Sequence, residues 1–343
     1  YTSFGKAPSG ERLSRMKQSP QWHGNKFENP QPIWSDMKSA MIQSFRASPY
    51  ATPQQTIPVV TNVKAALQQP SLRDLRVTWL GHSTSLIEVD GTRILLDPVW
   101  SKRTSPVSWL GPKRWYKPLI PLADLPHIDA VLISHDHYDH LDYPTILELA
   151  KMEVPFVTSL GVGAHLEAWG IAPERITELD WWETHTFPGG ALAFTATPAQ
   201  HFSGRGLTDR NRTLWSSSVI QTATHRLFFS GDTGLTPEFE TIHQRIGKFD
   251  LIMLEIGAWH PSWGAIHLGP ENALKASEML RGKALFPVHW STFDLALHAW
   301  DEPAETLVAL AQQTGQRILT PRLGRPFEVA HVEGVDPWWR EAR

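Results

Sequence analysis

The sequence predicts an α/β chain (α+β in some schemes) arranged as a four-layer αββα sandwich, and three observations lead there. Apolar runs of strand length recur in both halves, each half also supplies segments of helical pattern, and 41% of the 343 residues are hydrophobic. Two sheets packed face to face, with helices on their outer faces, bury such runs in one core.

Residues 1–70 are expected to form an arm laid over a folded body of residues 71–343. The arm carries eight Lys or Arg (Lys6, Arg12, Arg15, Lys17, Lys26, Lys38, Arg46, Lys64) against three acids (Glu11, Glu28, Asp36). Its prolines argue against continuous regular structure. Trp22, Phe27, Trp34, Phe45 and Tyr50 are spaced irregularly, as in a segment packed onto a body. Basic residues interleaved with aromatics also suit an anionic membrane surface.

From Leu75 the pattern becomes short strands: LRVTWLG, TSLIEVDG and TRILLDPVW. The last two are joined at Asp90-Gly91, the dipeptide of two-residue hairpins. Residues 101–126 are rich in Pro and Trp and fit neither a helix nor a central strand. IDAVLIS is a buried strand that runs into a histidine cluster, after which Asp142 or Tyr143 starts a helix with Pro144 in its first turn. In the second half ALAFTATPA, TLWSSSVIQTA, HRLFFSG, FDLIMLEIGA and LFPVHW read as strands, with helices at about 237–246, 269–280 and 303–314.

Composition excludes several chemistries. A formal net charge of -3 gives no broad basic footprint, so a nucleic acid held through its phosphates is not expected. The chain has no cysteine, which removes disulfides, thiolate zinc sites, iron-sulfur clusters and a cysteine nucleophile together. Any metal must use His, Asp or Glu. No apolar run approaches the roughly 18 residues that a membrane-spanning helix needs. The chain begins at Tyr1 rather than Met, which leaves room upstream for a start codon and a signal or anchor segment.

The segment Ser134-His135-Asp136-His137-Tyr138-Asp139-His140 is the most informative. So many polar groups at the end of a hydrophobic strand need a use. Histidine offers a neutral nitrogen and aspartate a charged, hard oxygen, and a two-cation site needs both. His135 and His137 can face one metal while Asp139 and His140 turn to a second. His201, Asp232 and His289 each follow an apolar strand as well and complete the set, with Asp232 the natural bridging carboxylate. Gly231 and Gly234 allow the turn that delivers it.

These residues, HxHxDH with a later His, an Asp in GDTG and a final His, resemble the metallo-beta-lactamase superfamily over about residues 75–325. The resemblance implies an αββα metallo-beta-lactamase sandwich with His135, His137 and His201 on a first zinc and Asp139, His140 and His289 on a second. Asp232 stands between them. Zinc is favoured, with iron or manganese able to occupy the same ligands, and no acid replaces His137 as in the redox di-iron branch. VTWLGHSTSLIEVDG, LLDPVWSKRTSPVSWLGPKRW, LPHIDAVLISHDHYDHLDY, ELDWWE, FSGDTG and FPVHWSTFDLA are most similar to the N-acylphosphatidylethanolamine-hydrolysing phospholipase D family. That resemblance implies hydrolysis of a phospholipid phosphodiester by a metal-bridging hydroxide, membrane association and a homodimer. It also implies a bacterial protein at the inner membrane or its periplasmic face if a leader was removed, and otherwise a cytoplasmic one. Where the family places Gln-His near the substrate phosphate, this chain has Ile266-His267, so an orienting amide is absent.

Asp139 or Asp232 is expected to orient the nucleophile, and His267 to meet the leaving alkoxide. Asp97 and His82, at strand ends, are placed to hydrogen-bond the free ring nitrogens of ligand histidines. Trp100, Trp109, Trp115, Trp259 and Trp263 lie in loops expected near the metals, where they can wall a channel for acyl chains. Lys113 and Arg114 can attract a phosphate. His185 and His260 are expected to be ordinary packed or surface histidines. The same centre would also suit a carboxylic ester or lactone hydrolase, and a non-enzymatic alternative is a metal-stabilised, membrane-associated scaffold.

Overall fold

The computed structural model describes residues 2–34, 48–71, 75–260, 266–295, 297–331 and 334–343. Phe45 and Trp263 lie outside them. Within the arm, helix α1 (Gly10–Gln18) is followed by a minimal hairpin of β1 (Trp22–His23) and β2 (Lys26–Phe27), and α2 (Val63–Gln68) precedes the body. The arm thus carries more regular structure than its prolines suggest. Met16 and Phe27 are buried against Trp181, Leu214 and Trp215, which explains the order, whereas Trp34 and Tyr50 are exposed.

Two mixed sheets form the centre. The first contains β3 (Leu75–Gly81), β4 (Thr84–Val89), β5 (Thr92–Leu96), β6 (Ala130–Ile133), β7 (Phe156–Ser159), β8 (Ile176–Leu179) and, at its other edge beside β3, β15 (Pro326–Glu328). The second contains β9 (Thr184–Thr186), β10 (Leu192–Thr197), β11 (Ser217–Thr222), β12 (Arg226–Phe229), β13 (Leu251–Glu255) and β14 (Leu285–Val288), side by side in chain order. In each sheet antiparallel hairpins give way to parallel strands, at β5–β6 in the first and at β12–β13 in the second.

Alternation along the strands decides which face meets what. Ile94, Leu96, Ala130, Leu132 and Val157 face the core between the sheets, joined there by Phe194, Val219 and Leu227. Their neighbours Leu95, Val131, Ile133 and Phe156 face the opposite way, onto Ile146 and Leu149 of α3 (Tyr143–Ala150) and Leu166 of α4 (Gly163–Ala168). On the second sheet the outer layer is α5 (Glu238–Ile246), α6 (Gly269–Leu280) and α7 (Glu302–Thr314). The architecture is the expected αββα sandwich. Among the described residues no helix is long and apolar enough to cross a membrane.

The β4–β5 turn is a two-residue loop in which Asp90 (φ 47) and Gly91 (φ 78) are both left-handed, with Val89 opposite Thr92. That is the geometry for which Asp-Gly is suited. Residues 101–126 form an irregular excursion, tied by isolated bridges Arg103 to Lys113 and Arg114 to Phe293. Strands β7, β8, β9 and β15 are of three or four residues, too short for the hydrophobic pattern to separate from loops. β11 starts at Ser217 rather than near Thr213 because Leu214 and Trp215 turn into the cluster with Met16 and Phe27.

Candidate metal centre

All the cluster residues arrive at one end of the sandwich, each just past a strand. The loop Ser134–His140 leaves β6, Asp97 follows β5, and His82 lies between β3 and β4. His201 follows β10, Asp232 follows β12 and His289 follows β14. Backbone ladders stop there, so side chains are free to converge. His82 (φ 54), Asp97 (φ 37) and His289 (φ 65) adopt left-handed backbone to turn inward, a local strain that clusters at functional sites.

In the first group, His135 Nε2 lies 2.9 Å from His137 Nδ1, which is 3.2 Å from His201 Nε2. Asp232 Oδ2 is 3.7 Å from His135 Nε2 and 3.6 Å from His201 Nε2. Four donors around one zinc, each at about 2.0–2.1 Å, would sit roughly 3.3 Å apart. His201 Nδ1–H donates to the Ile266 carbonyl at 2.8 Å, which leaves its Nε2 as a lone pair pointing into the group. Ser134 Oγ donates to Asp97 Oδ2 at 2.7 Å and so accepts from His135 Nδ1 at 2.9 Å, with the same result. Burial, reinforced by neighbouring imidazoles, holds His135 and burial holds His201 well below the ordinary histidine range. Neutral rings aim lone pairs at one another, an arrangement that a cation resolves.

The second group is charged. His140 Nε2 lies 3.1 Å from Asp232 Oδ1 and 3.3 Å from Asp139 Oδ2. His289 Nε2 is 3.2 Å from Asp139 Oδ2 and 3.2 Å from Asp232 Oδ2. Burial would depress both rings, but the Asp232 and Asp139 carboxylates outweigh it, holding His140 well above its ordinary value and His289 up at about 10. Asp232 faces both groups, one oxygen toward His140 and the other toward His135 and His201. His137 Nε2 is buried without a hydrogen-bond partner. Polar atoms are not left so at random, and the donor set of nitrogens and carboxylate oxygens fits two divalent cations.

Asp97 stands behind the centre as expected, its Oδ2 2.6 Å from His140 Nδ1 and its Oδ1 accepting from the Ser134 amide at 2.8 Å. His82 does not. Its Nε2–H donates to Asp139 Oδ2 at 2.8 Å, so it supports a ligand carboxylate rather than a ligand ring. Its ring lies 4.1 Å from that of His289 because the β3–β4 turn brings it beside β14. His267 Nδ1 sits 2.6 Å from Glu255 Oε2, and its ring stacks on His289 at 5.3 Å and meets His201 at 5.0 Å. Glu255, at the end of β13, also accepts from the Thr233 amide at 2.6 Å, and burial pushes its carboxyl up. The expected site lacks it, although an acid ending the run LIMLE carries the same signal as Asp97 and Asp232.

The expected substrate contacts divide. Trp109 is 71% exposed and lines a cavity of 380 Å³ together with Lys102, Arg103, Tyr138 and Tyr143. Trp115 meets Trp300 edge-on at 6.0 Å and borders a small recess beside His82 and His289. Lys113 is exposed and Trp259 half-buried against Gly269. Arg114 is not a phosphate contact: it is buried, its guanidinium donating to the Val99 and Ser101 carbonyls and lying 4.9 Å from the Phe293 ring centre. Trp100 is a packing residue whose indole donates to the Ile120 carbonyl. Ile266 serves through its carbonyl on His201. His185 lies on β9 against Phe187.

Two adjoining His/Asp groups sharing one carboxylate at the open end of an αββα sandwich define a metal-binding catalytic site of the metallo-beta-lactamase-fold hydrolases. The chain belongs to the metallo-beta-lactamase superfamily: a model described as the beta-lactamase superfamily domain matches residues 92–290. It is 46% identical over 270 residues to an uncharacterized protein of Mycobacterium tuberculosis, covering 78% of this chain and 72% of that one. It is 36% identical over 231 residues to N-acyl-phosphatidylethanolamine-hydrolyzing phospholipase D 1 of Caenorhabditis elegans, covering 64% of this chain and 65% of that one. Igni18, a metallo hydrolase from the archaeon Ignicoccus hospitalis, shares the fold at a TM-score of 0.56 and 23% identity, over 74% of this chain and 98% of its own.

Proposed function

We propose that this chain is a zinc-dependent, phospholipase D-like phosphodiesterase acting on a phospholipid such as N-acylphosphatidylethanolamine. The observation that carries this reading is the two-group His/Asp centre; a separate cavity of 380 Å³, whose lining includes none of those ligands, has in its wall Tyr138, the residue between His137 and Asp139 in the sequence. Val107, Trp109 and Tyr143 offer apolar surface for acyl chains there, and Lys102 and Arg103 offer positive charge for a phosphate. The relative in Caenorhabditis elegans carries this activity in its name.

His135, His137 and His201 would hold one cation and Asp139, His140 and His289 the other, with Asp232 shared. Bound there, the cations supply Lewis acidity toward the phosphate oxygens and lower the pKa of water. The remaining work belongs to the chain. Asp139, held by His82, and Asp232 orient the attacking water. His267, its Nδ1 fixed by Glu255, offers its other nitrogen to the departing alkoxide. Residues 1–70 form a basic, aromatic-containing arm packed on a hydrolase domain of residues 71–343 in this reading.

The test is hydrolysis of N-acylphosphatidylethanolamine by zinc-loaded protein, beside bis(4-nitrophenyl) phosphate, a lactone panel and an aryl ester, with Asp232→Ala as control. Release of phosphatidic acid that disappears in the control supports the reading. Turnover confined to lactones or esters replaces it with a carboxylic ester hydrolase, and silence from fully loaded protein favours a metal-stabilised scaffold.

A further inference from the structure

The first metal group hangs on two loops, the one carrying His135 to His140 and the one carrying His201, where the sheet ladders have ended. Buried contacts from elsewhere hold both. Arg205, only 4% exposed, donates from Nη1 to the carbonyls of Asp136 at 2.7 Å and Leu141 at 2.8 Å, the two ends of the turn that bears His137, Asp139 and His140. Its Nε and Nη2 donate to the Ser3 carbonyl at 3.0 and 2.8 Å, and its guanidinium lies 4.0 Å from the Tyr138 ring centre. Arg205 is therefore a buried cation satisfied by carbonyls, one of which comes from the arm.

A second line of contacts runs parallel. Asp136, buried between His135 and His137, accepts from the Gly204 amide at 2.8 Å, Thr213 Oγ1 at 2.7 Å and His165 Nε2 at 3.3 Å. The other nitrogen of His165 accepts from the Lys6 amide at 3.0 Å. Gly5 lies flat on that ring: its φ is +77°, and a Cβ there would come within 2.0 Å of His165 Nδ1. Trp169 Nε1 donates to the Thr2 carbonyl at 2.8 Å. On the other loop the Asn29 side chain grips the backbone of His201 from both sides, accepting from its amide at 2.8 Å and donating to its carbonyl at 2.7 Å.

We propose that the arm braces the metal centre at two places, Thr2 to Lys6 and Asn29, where Gly5 and Asn29, together with Arg205 of the body, are positioning residues that hold the His135–His140 loop and His201 in ligand geometry. The proposal rests on the reading that the two groups bind metal. Loops ordered in advance spare a metal the entropy of ordering them, so losing the brace shows as lost affinity. Groups that orient metal ligands from behind are each worth about 10–100-fold in affinity.

The experiment is a zinc titration of the full chain against a chromophoric chelator, with amide exchange of metal-free protein at His140 and Leu141, both of which donate to the His137 carbonyl. Gly5→Ala, Asn29→Ala and Arg205→Met are each expected to weaken the tighter zinc by about 10–100-fold and to speed exchange at those amides, with Arg205→Lys restoring part of the loss. Two controls perturb the arm elsewhere. Gly24→Ala introduces the same kind of backbone strain, φ +62°, with nothing near its Cβ, and Arg15→Ala removes an exposed pair with Glu183. Both are expected to bind zinc as the parent does. Parental affinity in Gly5→Ala and Asn29→Ala overturns the brace, as does equal loss in the controls. If one variant fails to fold, the other decides. A parent chain that takes up no zinc overturns the metal reading itself, and the brace with it.

Discussion

Asp97 and His140, both buried, meet at 2.6 Å between Oδ2 and Nδ1. The same carboxylate holds Ser134, which in turn holds His135, so one acid behind the site sets the ring orientation of a histidine in each group. Asp97→Ala is expected to weaken zinc binding at both groups, by about 10–100-fold, measured by competition against a chelator. Unchanged affinity would show that Asp97 is only a turn residue.

Asp232→Ala removes the carboxylate that both groups share. Elemental analysis after loading is expected to fall from two zinc ions per chain to one or none, and turnover to fall with it. Retention of both ions with full activity would reject the bridging role.

His267 and Glu255 form a hydrogen-bonded pair beside the centre. His267→Ala is expected to lower kcat by about 10²–10⁴, the usual contribution of a positioned proton donor. Glu255→Gln should lower kcat less, with KM near the parental value. If zinc content drops in His267→Ala, the residue is a ligand instead.

Asp90 reaches from the β4–β5 turn to Thr222, Thr224 and His225 of the second sheet. Burial works against its charge, but these hydrogen bonds prevail and hold its carboxyl down at about 2, from 3.8. Because the folded value is the lower one, the stabilisation is complete above about pH 4 and fades as pH falls toward 2. Asp90→Asn keeps a residue suited to the left-handed turn and is expected to lower stability near neutral pH by about 1 kcal/mol, solvent screening reducing what the shift alone implies. The gap between variant and parent, read from urea unfolding, should close as pH falls through that window. A gap independent of pH would place the effect elsewhere.

Removing metal with a chelator is expected to lower Tm, because the lone pairs of His135 and His201 then face one another without a cation and the loops that carry them lose a common tie. Zinc should restore it. A Tm indifferent to both would count against a metal at this site.

Much of this centre is legible in the sequence for one physical reason. His135, His137, His140, His201, Asp232 and His289 are polar groups at the ends of apolar runs, and strands that share a sheet end deliver their ends together. Asp97 follows the same logic. Arg114 reads wrongly because beside Lys113 it suggests an open basic patch, whereas its burial comes from pairing with Phe293, a contact far along the chain. His82 likewise takes its partner from a turn that only the folded sheet positions. Arg205 and Gly5 leave no local trace at all, since each matters through a backbone carbonyl or a ring that belongs to a distant segment.

The latch of Asp90 on the β11–β12 turn lies at the end of the sandwich opposite the histidines, since β5 and β12 both run from that turn region toward the site. The two sheets are therefore fastened twice, by a carboxylate among hydroxyls at one end and by shared ligands at the other. At the second end both sheets contribute side chains to one cluster, His135 and His140 from the loop after β6 and His201, Asp232 and His289 from the ends of β10, β12 and β14, so each sheet carries only part of the site.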